Sequence, residues 1–204
     1  RSILSGLSTT CPRGAARILR GPNGVGKSTF LRVRAGLVPA EAGKIAFDGA
    51  ELGSDAYQES LFYSGHLDAL KPALSVRENL MFWAALFGQP AAKIDHALAT
   101  FDLLHLSDRP AGACSAGQKR RLGLARLALS ERPLWLLDEP TVSLDDTNTG
   151  AFETLVLNHL EKGGPAVIAT HTPLNLAPAE TLELAPTTSA AIPTLEPFLA
   201  EPFG

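Results

Sequence analysis

Residues 21–29 read GPNGVGKST and match the phosphate-binding pattern G-x-x-x-x-G-K-[ST]. Glycines let the backbone turn so that successive N–H groups face one anion, and a helix beginning here adds a partial positive charge. In this pattern Lys27 reaches the outer phosphates of a nucleotide, and the hydroxyl of Ser28 binds magnesium. The alternative is a chance glycine-rich turn. We predict a nucleotide site formed by Gly21, Pro22, Asn23, Gly24, Val25, Gly26, Lys27, Ser28 and Thr29.

Two adjacent acids, Asp138 and Glu139, follow the apolar run 134–137, which has the length of a buried parallel strand. Acids at the end of a core strand are costly unless they function, and ligands of open α/β sheets bind at that end. We predict that Asp138 holds magnesium, directly or through water, and that Glu139 polarises an attacking water. The alternative is a pair of solvated acids in a turn.

Ser115 and Gln118 have the spacing of a capping box, S-x-x-Q, and predict a helix that runs to about Leu129. The same segment could bind an anion, because it combines a serine cap with a helix N-terminus and with Gly117, which permits close approach. The sequence leaves these two interpretations equally open. The basic run 119–121 that follows favours a solvated helix face.

His171 follows a further apolar run, residues 166–170, which predicts another buried strand. A histidine in this position is either structural or part of the presumed phosphate site, and the sequence leaves both roles open. His96 and His105 are predicted to be solvated helix residues and not ligands.

The remaining pattern predicts an α/β chain. Strands are expected at residues 3–7, 16–19, 44–47, 61–63 and 181–184, with a hairpin turn at Asp48-Gly49. Helices are expected after the glycine-rich loop to about Ala35, after a capping box at 75–78, over an apolar stripe from Ile94 to Leu104, and over 152–160. The Pro-rich residues 185–204 are assigned no structure.

Composition restricts the classes of function. The formal net charge of −3 gives no electrostatic footprint for nucleic acid. The two cysteines, Cys11 and Cys114, form no C-x-x-C pair, which argues against a zinc site or a disulfide framework. The longest apolar stretch, 80–88, is far shorter than the ~20 residues of a membrane span, so membrane contact is expected only through partners. Because the chain begins at Arg1 without methionine, we expect residues to precede it.

Taken in order, these motifs resemble the ATP-binding subunits of ABC transporters over about residues 2–186. Residues 21–29 resemble the Walker A loop, 134–139 Walker B with the catalytic glutamate, 143–145 the D-loop, and His171 the switch histidine. The signature corresponds to Ser115, Ala116, Gly117 and Gln118. Within the family, CSAGQKRRLGLARL, RPLWLLDEPTVSLD, ATHTPL and Gly65-His66, with histidine in the Q-loop position, resemble the haem-exporter ATPases of cytochrome c maturation.

The resemblance implies a P-loop NTPase fold of the ABC type, with a mostly parallel core sheet, a small antiparallel β region and an α-helical subdomain. It implies a nucleotide-binding domain at 1–186, with the helical subdomain at about 67–130, and a Pro-rich tail at 187–204. The family's N-terminal strand and its adenine-stacking aromatic residue have no counterpart here, and Cys114 replaces the leucine before the signature serine.

The resemblance also implies a mechanism. Two copies form a homodimer around ATP and Mg²⁺, and the signature of one copy contacts the γ-phosphate held by Lys27 of the other. Ser28 and Asp138 place the metal. Glu139 and His171 serve catalysis, His66 senses the γ-phosphate, and Asp145 belongs to the nucleotide-binding set.

The implied partners are transmembrane permease subunits and other membrane proteins of cytochrome c maturation. The chain would act as a peripheral subunit at the cytoplasmic face of the inner membrane and would drive haem export. The alternatives are an ABC ATPase for another substrate, a nucleotide-binding module with little hydrolysis, a P-loop protein acting on nucleic acid, and a small-molecule kinase. The nucleic-acid alternative lacks both the heptad segments and the basic charge that it requires.

Overall fold

A parallel sheet carries the predicted motifs. The computed structural model describes residues 7–185. In that part of the chain the strands are β1 (Ala16–Arg20), β2 (Ala46–Phe47), β3 (Ala50–Glu51), β4 (Leu61–Ser64), β5 (Leu134–Asp138), β6 (Ala166–Ala169) and β7 (Ala179–Glu183). Five of them form one sheet in the order β4-β5-β6-β1-β7, in which every described pairing is parallel. β2 and β3 form a separate antiparallel hairpin, so the predicted fold class is confirmed.

The α-helices in the described residues are α1 (Lys27–Arg34), α2 (Asp55–Ser60), α3 (Val76–Leu86), α4 (Lys93–Thr100), α5 (Ala116–Ala125) and α6 (Asp146–Glu161). Four of these six helices, α2, α3, α5 and α6, begin at a side-chain cap. Both predicted capping boxes, at Ser75–Glu78 and Ser115–Gln118, are present with both of their hydrogen bonds. No helix within residues 7–185 is sufficiently long and apolar to cross a bilayer.

The sheet separates two apolar clusters. Successive side chains of a strand point to opposite faces. Leu134 and Leu136 of β5 therefore pack with α1 and α2, whereas Trp135 and Leu137 pack with the larger helical layer of α3 to α6. The same alternation directs Asp138 to the α1 face of the sheet, toward the glycine-rich loop.

Some predicted elements are wrong in their extent. The helix expected from Ile94 to Leu104 ends at Thr100, because Asp102 adopts a left-handed conformation with φ of 50°. Leu104 then lies in a short 3₁₀ turn and is 47% exposed. The helix expected to reach Leu129 changes to 3₁₀ geometry at Arg126. α2, which begins at the Ser54 cap, has no counterpart among the predicted helices. The proposed strand at 3–7, apart from Leu7, and the tail at 187–204 lie outside the described residues.

Candidate nucleotide site

Three adjacent strand ends bring the predicted motifs together. β6 lies between β1 and β5, and its residue Ala169 is in register with both Leu19 and Asp138. The loop 21–26 follows β1, Glu139 follows β5, and His171 follows β6 by two residues. Because the three strands are parallel, their carboxyl ends lie at one edge of the sheet, where ligands of open α/β sheets bind.

The glycine-rich loop has the backbone that the pattern predicts. Gly21 has φ of 136°, and a methyl group on it would lie 2.5 Å from the carbonyl oxygen of Leu184, so only glycine fits. Gly26 is the N-cap of α1 with φ of 110°, and in the described structure no side chain caps this helix. The first-turn N–H groups of α1 are therefore available to an anion. Of the other loop residues, Val25 is buried, Thr29 is half-buried in α1, and Pro22, Asn23 and Gly24 are exposed.

Lys27 is buried and folded back on the loop. Its ammonium donates to the carbonyl oxygen of Gly21 at 2.8 Å and to that of Pro22 at 3.3 Å. Its Nζ also lies 2.9 Å from Nε2 of His171. Because an ammonium group only donates, this contact is a hydrogen bond in the tautomer whose Nε2 accepts. A phosphate group that binds Lys27 must therefore replace protein acceptors.

Asp138 and Ser28 form a pair suited to a divalent cation. Ser28 Oγ donates to Asp138 Oδ1 at 3.1 Å, and Asp138 is 2% exposed. The second carboxylate oxygen, Oδ2, is buried and has no hydrogen-bond partner among the described residues. A buried carboxylate oxygen beside a serine hydroxyl offers the hard oxygen ligands that Mg²⁺ prefers. The residues present therefore fit a magnesium ion bound at the predicted position.

Glu139 adopts a strained conformation at the end of β5. Its φ of 47° is unusual for a residue with a side chain. Its N–H donates to the carbonyl oxygen of Ala169 at 2.7 Å, which continues the pairing with β6 beyond the strand. The carboxylate accepts from the N–H of His171 at 3.3 Å, and its other oxygen lies 3.6 Å from His171 Nε2. His171 therefore lies between Lys27 and Glu139, as the functional interpretation of this histidine requires.

The signature residues lie apart from this cluster. Ser115 and Ala116 are exposed, and the polar groups of Ser115 and Gln118 bond to each other in the capping box. Gly117 faces the D-loop, since a methyl group on it would lie 3.2 Å from the carbonyl oxygen of Ser143. In the described chain, no hydrogen bond joins residues 115–118 to the glycine-rich loop.

His66 and Asp145 also lie outside the cluster around Lys27. His66 is exposed and lines a groove of about 210 Å³ with Ala116, Arg120 and Ser143. Asp145 is the N-cap of α6 and accepts from the backbone N–H and the side-chain amide of Asn148, each at 2.8 Å. These bonds, that of the backbone first, lower the pKa of Asp145 below its usual value. Its observed contacts are those of a helix cap.

One residue of the site was missed from the sequence. The prediction of a solvated face for the basic run 119–121 is wrong for Arg120, because this side chain is buried and bonds to the backbone that carries Glu139. The helical spacing of the sequence could have predicted that Arg120 is buried. Arg120, Leu124 and Leu127 follow i, i+4, i+7 and are all buried, so the basic residue lies on the core face of α5.

Comparison with known proteins identifies the family to which the chain belongs. The profile of the ABC transporter family matches residues 4–142. The cytochrome c biogenesis ATP-binding export protein CcmA of Paracoccus denitrificans is 54% identical over 173 residues, which cover 85% of this chain and 77% of the relative. The protein of the same name from Ruegeria pomeroyi is 52% identical over 195 residues, which cover 96% of this chain and 90% of the relative.

A solved structure of an ABC transporter component has a similar fold. The cbiO1 protein of Clostridium perfringens, described as part of the ABC transporter complex cbiONQ, superposes with a TM-score of 0.67 at 30% identity, and the match covers 83% of this chain and 72% of that one. The family profile spans more than half of the chain, and the relatives align over most of it. The chain therefore belongs to the ABC transporter family of ATP-binding proteins and, within it, to the cytochrome c biogenesis ATP-binding export proteins.

Proposed function

We propose that this chain is the ATP-hydrolysing subunit of an ABC exporter that serves cytochrome c biogenesis, with haem as the exported or delivered substrate. One observation carries the ATPase part of the proposal: Lys27, the Ser28–Asp138 pair, Glu139 and His171 converge at one edge of the parallel sheet. The identity of 54% to a cytochrome c biogenesis export protein supports the assignment of the process.

Each side chain then has a distinct role in hydrolysis. Lys27 and the N-terminus of α1 bind the β- and γ-phosphates of ATP, and Lys27 exchanges its present carbonyl and histidine acceptors for phosphate oxygens. Ser28 and Asp138 would hold Mg²⁺, and the bound ion would supply positive charge beside the phosphate oxygens. The Glu139 carboxylate orients the attacking water and accepts its proton, and His171, which already contacts both Lys27 and Glu139, links the γ-phosphate to this base.

The signature residues complete the site from a second copy of the chain. Ser115 and Gly117 lie at the N-terminus of α5, which is an anion-binding position. Ser115 is exposed, and residues 115–118 have no hydrogen bond to the glycine-rich loop of their own described chain. A homodimer would bring this helix N-terminus and the D-loop residue Asp145 against the nucleotide of the partner, and His66 would report the γ-phosphate from the neighbouring groove.

Exposed apolar side chains indicate where the membrane partners bind. Leu67, next to His66, is 81% exposed. On α3, Met81, Phe82 and Leu86 are 48%, 42% and 59% exposed. Exposed apolar groups of this kind favour a protein contact. We infer that transmembrane permease subunits and other cytochrome c maturation membrane proteins dock here, so that the chain is a peripheral subunit at the cytoplasmic face of the inner membrane.

The ATPase proposal is tested by nucleotide-driven dimerisation. The Glu139→Gln variant should form a dimer with Mg²⁺ and ATP and remain monomeric with ADP, measured by size-exclusion chromatography with light scattering. Adding Ser115→Arg should abolish the dimer, because a long cation would occupy the anion position, while ATP binding measured by a fluorescent analogue persists. A Glu139→Gln chain that binds ATP and stays monomeric would contradict the shared site.

The assignment to cytochrome c biogenesis needs a test in cells. A bacterium that lacks its own copy of this ATPase should recover covalently haem-stained c-type cytochromes when it expresses the wild-type chain. Glu139→Gln should not restore them, although both proteins accumulate equally on immunoblots. Equal staining with the inactive variant, or no staining with an active wild-type chain, would contradict the assignment to cytochrome c biogenesis. The ATPase assignment would then still be judged by the dimerisation assay.

A further inference from the structure

Arg120 connects three parts of the site from a buried position. Its side chain extends from α5 toward the turn that follows β5. Nη2 donates to the carbonyl oxygens of Glu139 at 2.6 Å and Asp138 at 3.2 Å, and Nε donates to that of Pro140 at 3.1 Å. One guanidinium group thus binds the carbonyl groups of three consecutive residues centred on the proposed general base.

The other edge of the guanidinium binds the segment that contains His66. Nη1 donates to Asp68 Oδ1 at 2.9 Å and lies 3.5 Å from the carbonyl oxygen of Gly65. An arginine has five N–H donors in a fixed planar arrangement, and here five acceptors surround it. The Asp68 carboxylate, whose side chain is 25% exposed, also balances the charge of the Arg120 guanidinium, whose side chain is only 8% exposed.

Tight packing fixes this segment against α5. A methyl group on Gly123 would lie 3.1 Å from both Cβ and Oδ1 of Asp68, so residue 68 rests directly on the helix one turn beyond Arg120. The close approach at Gly123 and the Arg120–Asp68 ion pair therefore both join the 65–68 segment to α5. The same segment carries the exposed residues His66 and Leu67.

The turn at Glu139 requires such support. A non-glycine residue with φ of 47° carries backbone strain and persists only where its surroundings hold it. The guanidinium satisfies the three successive carbonyl groups that this conformation turns to one side. Lysine could not replace it, because an ammonium group is a point donor that cannot reach five acceptors spread over two chain segments.

We propose that Arg120 is a positioning residue for hydrolysis. It holds the backbone of Glu139 in the strained conformation and ties that conformation to the position of the 65–68 segment through Asp68. The inference rests on the proposed ATPase function and adds a physical connection between the segment beside the permease surface and the general base. Arg120 acts through the backbone of Glu139, to which it is bonded, and not on the reacting atoms.

Steady-state hydrolysis and ATP binding by the full chain test this role. Arg120→Lys should lower kcat about 10- to 100-fold, the range expected when a reacting group is misplaced by about 1 Å. Its KM and its affinity for a fluorescent ATP analogue should stay within about twofold of wild type, because the glycine-rich loop is untouched. Asp68→Asn should lower kcat less, since the three carbonyl contacts remain. Arg121→Lys is the matched control, because Arg121 lies on the same helix and donates to the carbonyls of Phe101 and Asp102 instead.

A second readout separates positioning from general destabilisation. In a Glu139→Gln background, adding Arg120→Lys should reduce the residual rate by less than about twofold, because Arg120 acts through Glu139. A reduction equal to that in the wild-type background, or an unchanged kcat in Arg120→Lys while the wild type turns over, would overturn the inference. A wild-type chain that binds ATP without any hydrolysis would overturn the proposed function and this inference with it.

Discussion

Asp138 should destabilise the protein when no magnesium is bound. Its carboxylate is 2% exposed and accepts one hydrogen bond, from Ser28, while Oδ2 has no partner in the described chain. The nearby Lys27 ammonium donates to loop carbonyls and contacts His171, and no hydrogen bond in the described chain joins it to Asp138. An unsatisfied buried polar atom costs about 1–3 kcal/mol, and more when it is charged. One buried carboxylate oxygen is therefore unpaired in the described chain, and we expect a bound cation to stabilise the fold.

Asp138→Asn removes the charge and keeps the shape. The amide can still accept from Ser28, but its NH₂ replaces Oδ2 and also lacks a partner, so only part of the cost disappears. We expect the variant to be more stable than wild type by about 1 kcal/mol in the presence of a chelator, which corresponds to about 2–4 °C for a chain of this size. With saturating Mg²⁺ and ATP the order should reverse, since a ligand at 100 times its Kd stabilises by about 2.7 kcal/mol and the variant loses much of that affinity.

Urea unfolding monitored by tryptophan fluorescence, with and without Mg²⁺ and ATP, measures both effects. Asp146→Asn is the control, because Asp146 is an exposed carboxylate at the start of α6 and its substitution should change stability by less than about 0.5 kcal/mol. An Asp138→Asn variant that is less stable than wild type in chelator would refute the reasoning, because it would mean that the carboxylate is already well paired.

Three further results are expected. Glu139→Gln should keep ATP binding and lose about 10²- to 10⁴-fold in phosphate release, and near wild-type turnover would exclude Glu139 as the base. Gly21→Ala should unfold at lower urea than Gly24→Ala, because both glycines have positive φ but only at Gly21 would the methyl group meet a carbonyl oxygen, at 2.5 Å; equal midpoints would contradict the steric argument. Burial lowers the pKa of His159, which stacks on Trp135 at 3.8 Å, below its ordinary value of 6.5. The stabilisation that the neutral His159 gives the folded state is therefore fully present above pH 6.5 and is lost as the pH falls. We expect His159→Gln to flatten the decline in unfolding free energy between pH 7 and 5. His105→Gln, at an exposed histidine, is the control and should leave that decline unchanged.

Much of the site could be predicted because its chemistry is local in sequence. The spacing from Gly21 to Ser28 and the acids after an apolar run each indicate a function without reference to distant residues. The capping box at Ser115 was also readable, because N-cap bonds join residues three apart. Helix ends were less predictable, as at Asp102, where a left-handed residue ends α4 inside an unbroken apolar stripe.

The sequence by itself determined the α/β class of the chain and predicted which residues bind phosphate and metal, since residue types, spacing and periodicity are properties of short segments. Only the tertiary structure decided that β6 pairs between β1 and β5 and so places His171 between Lys27 and Glu139. It also decided that Arg120 is buried against the Glu139 turn and is not solvated. Both results depend on contacts between segments far apart in the chain, whose pairing is selected by burial of the whole core and cannot be deduced from any one segment.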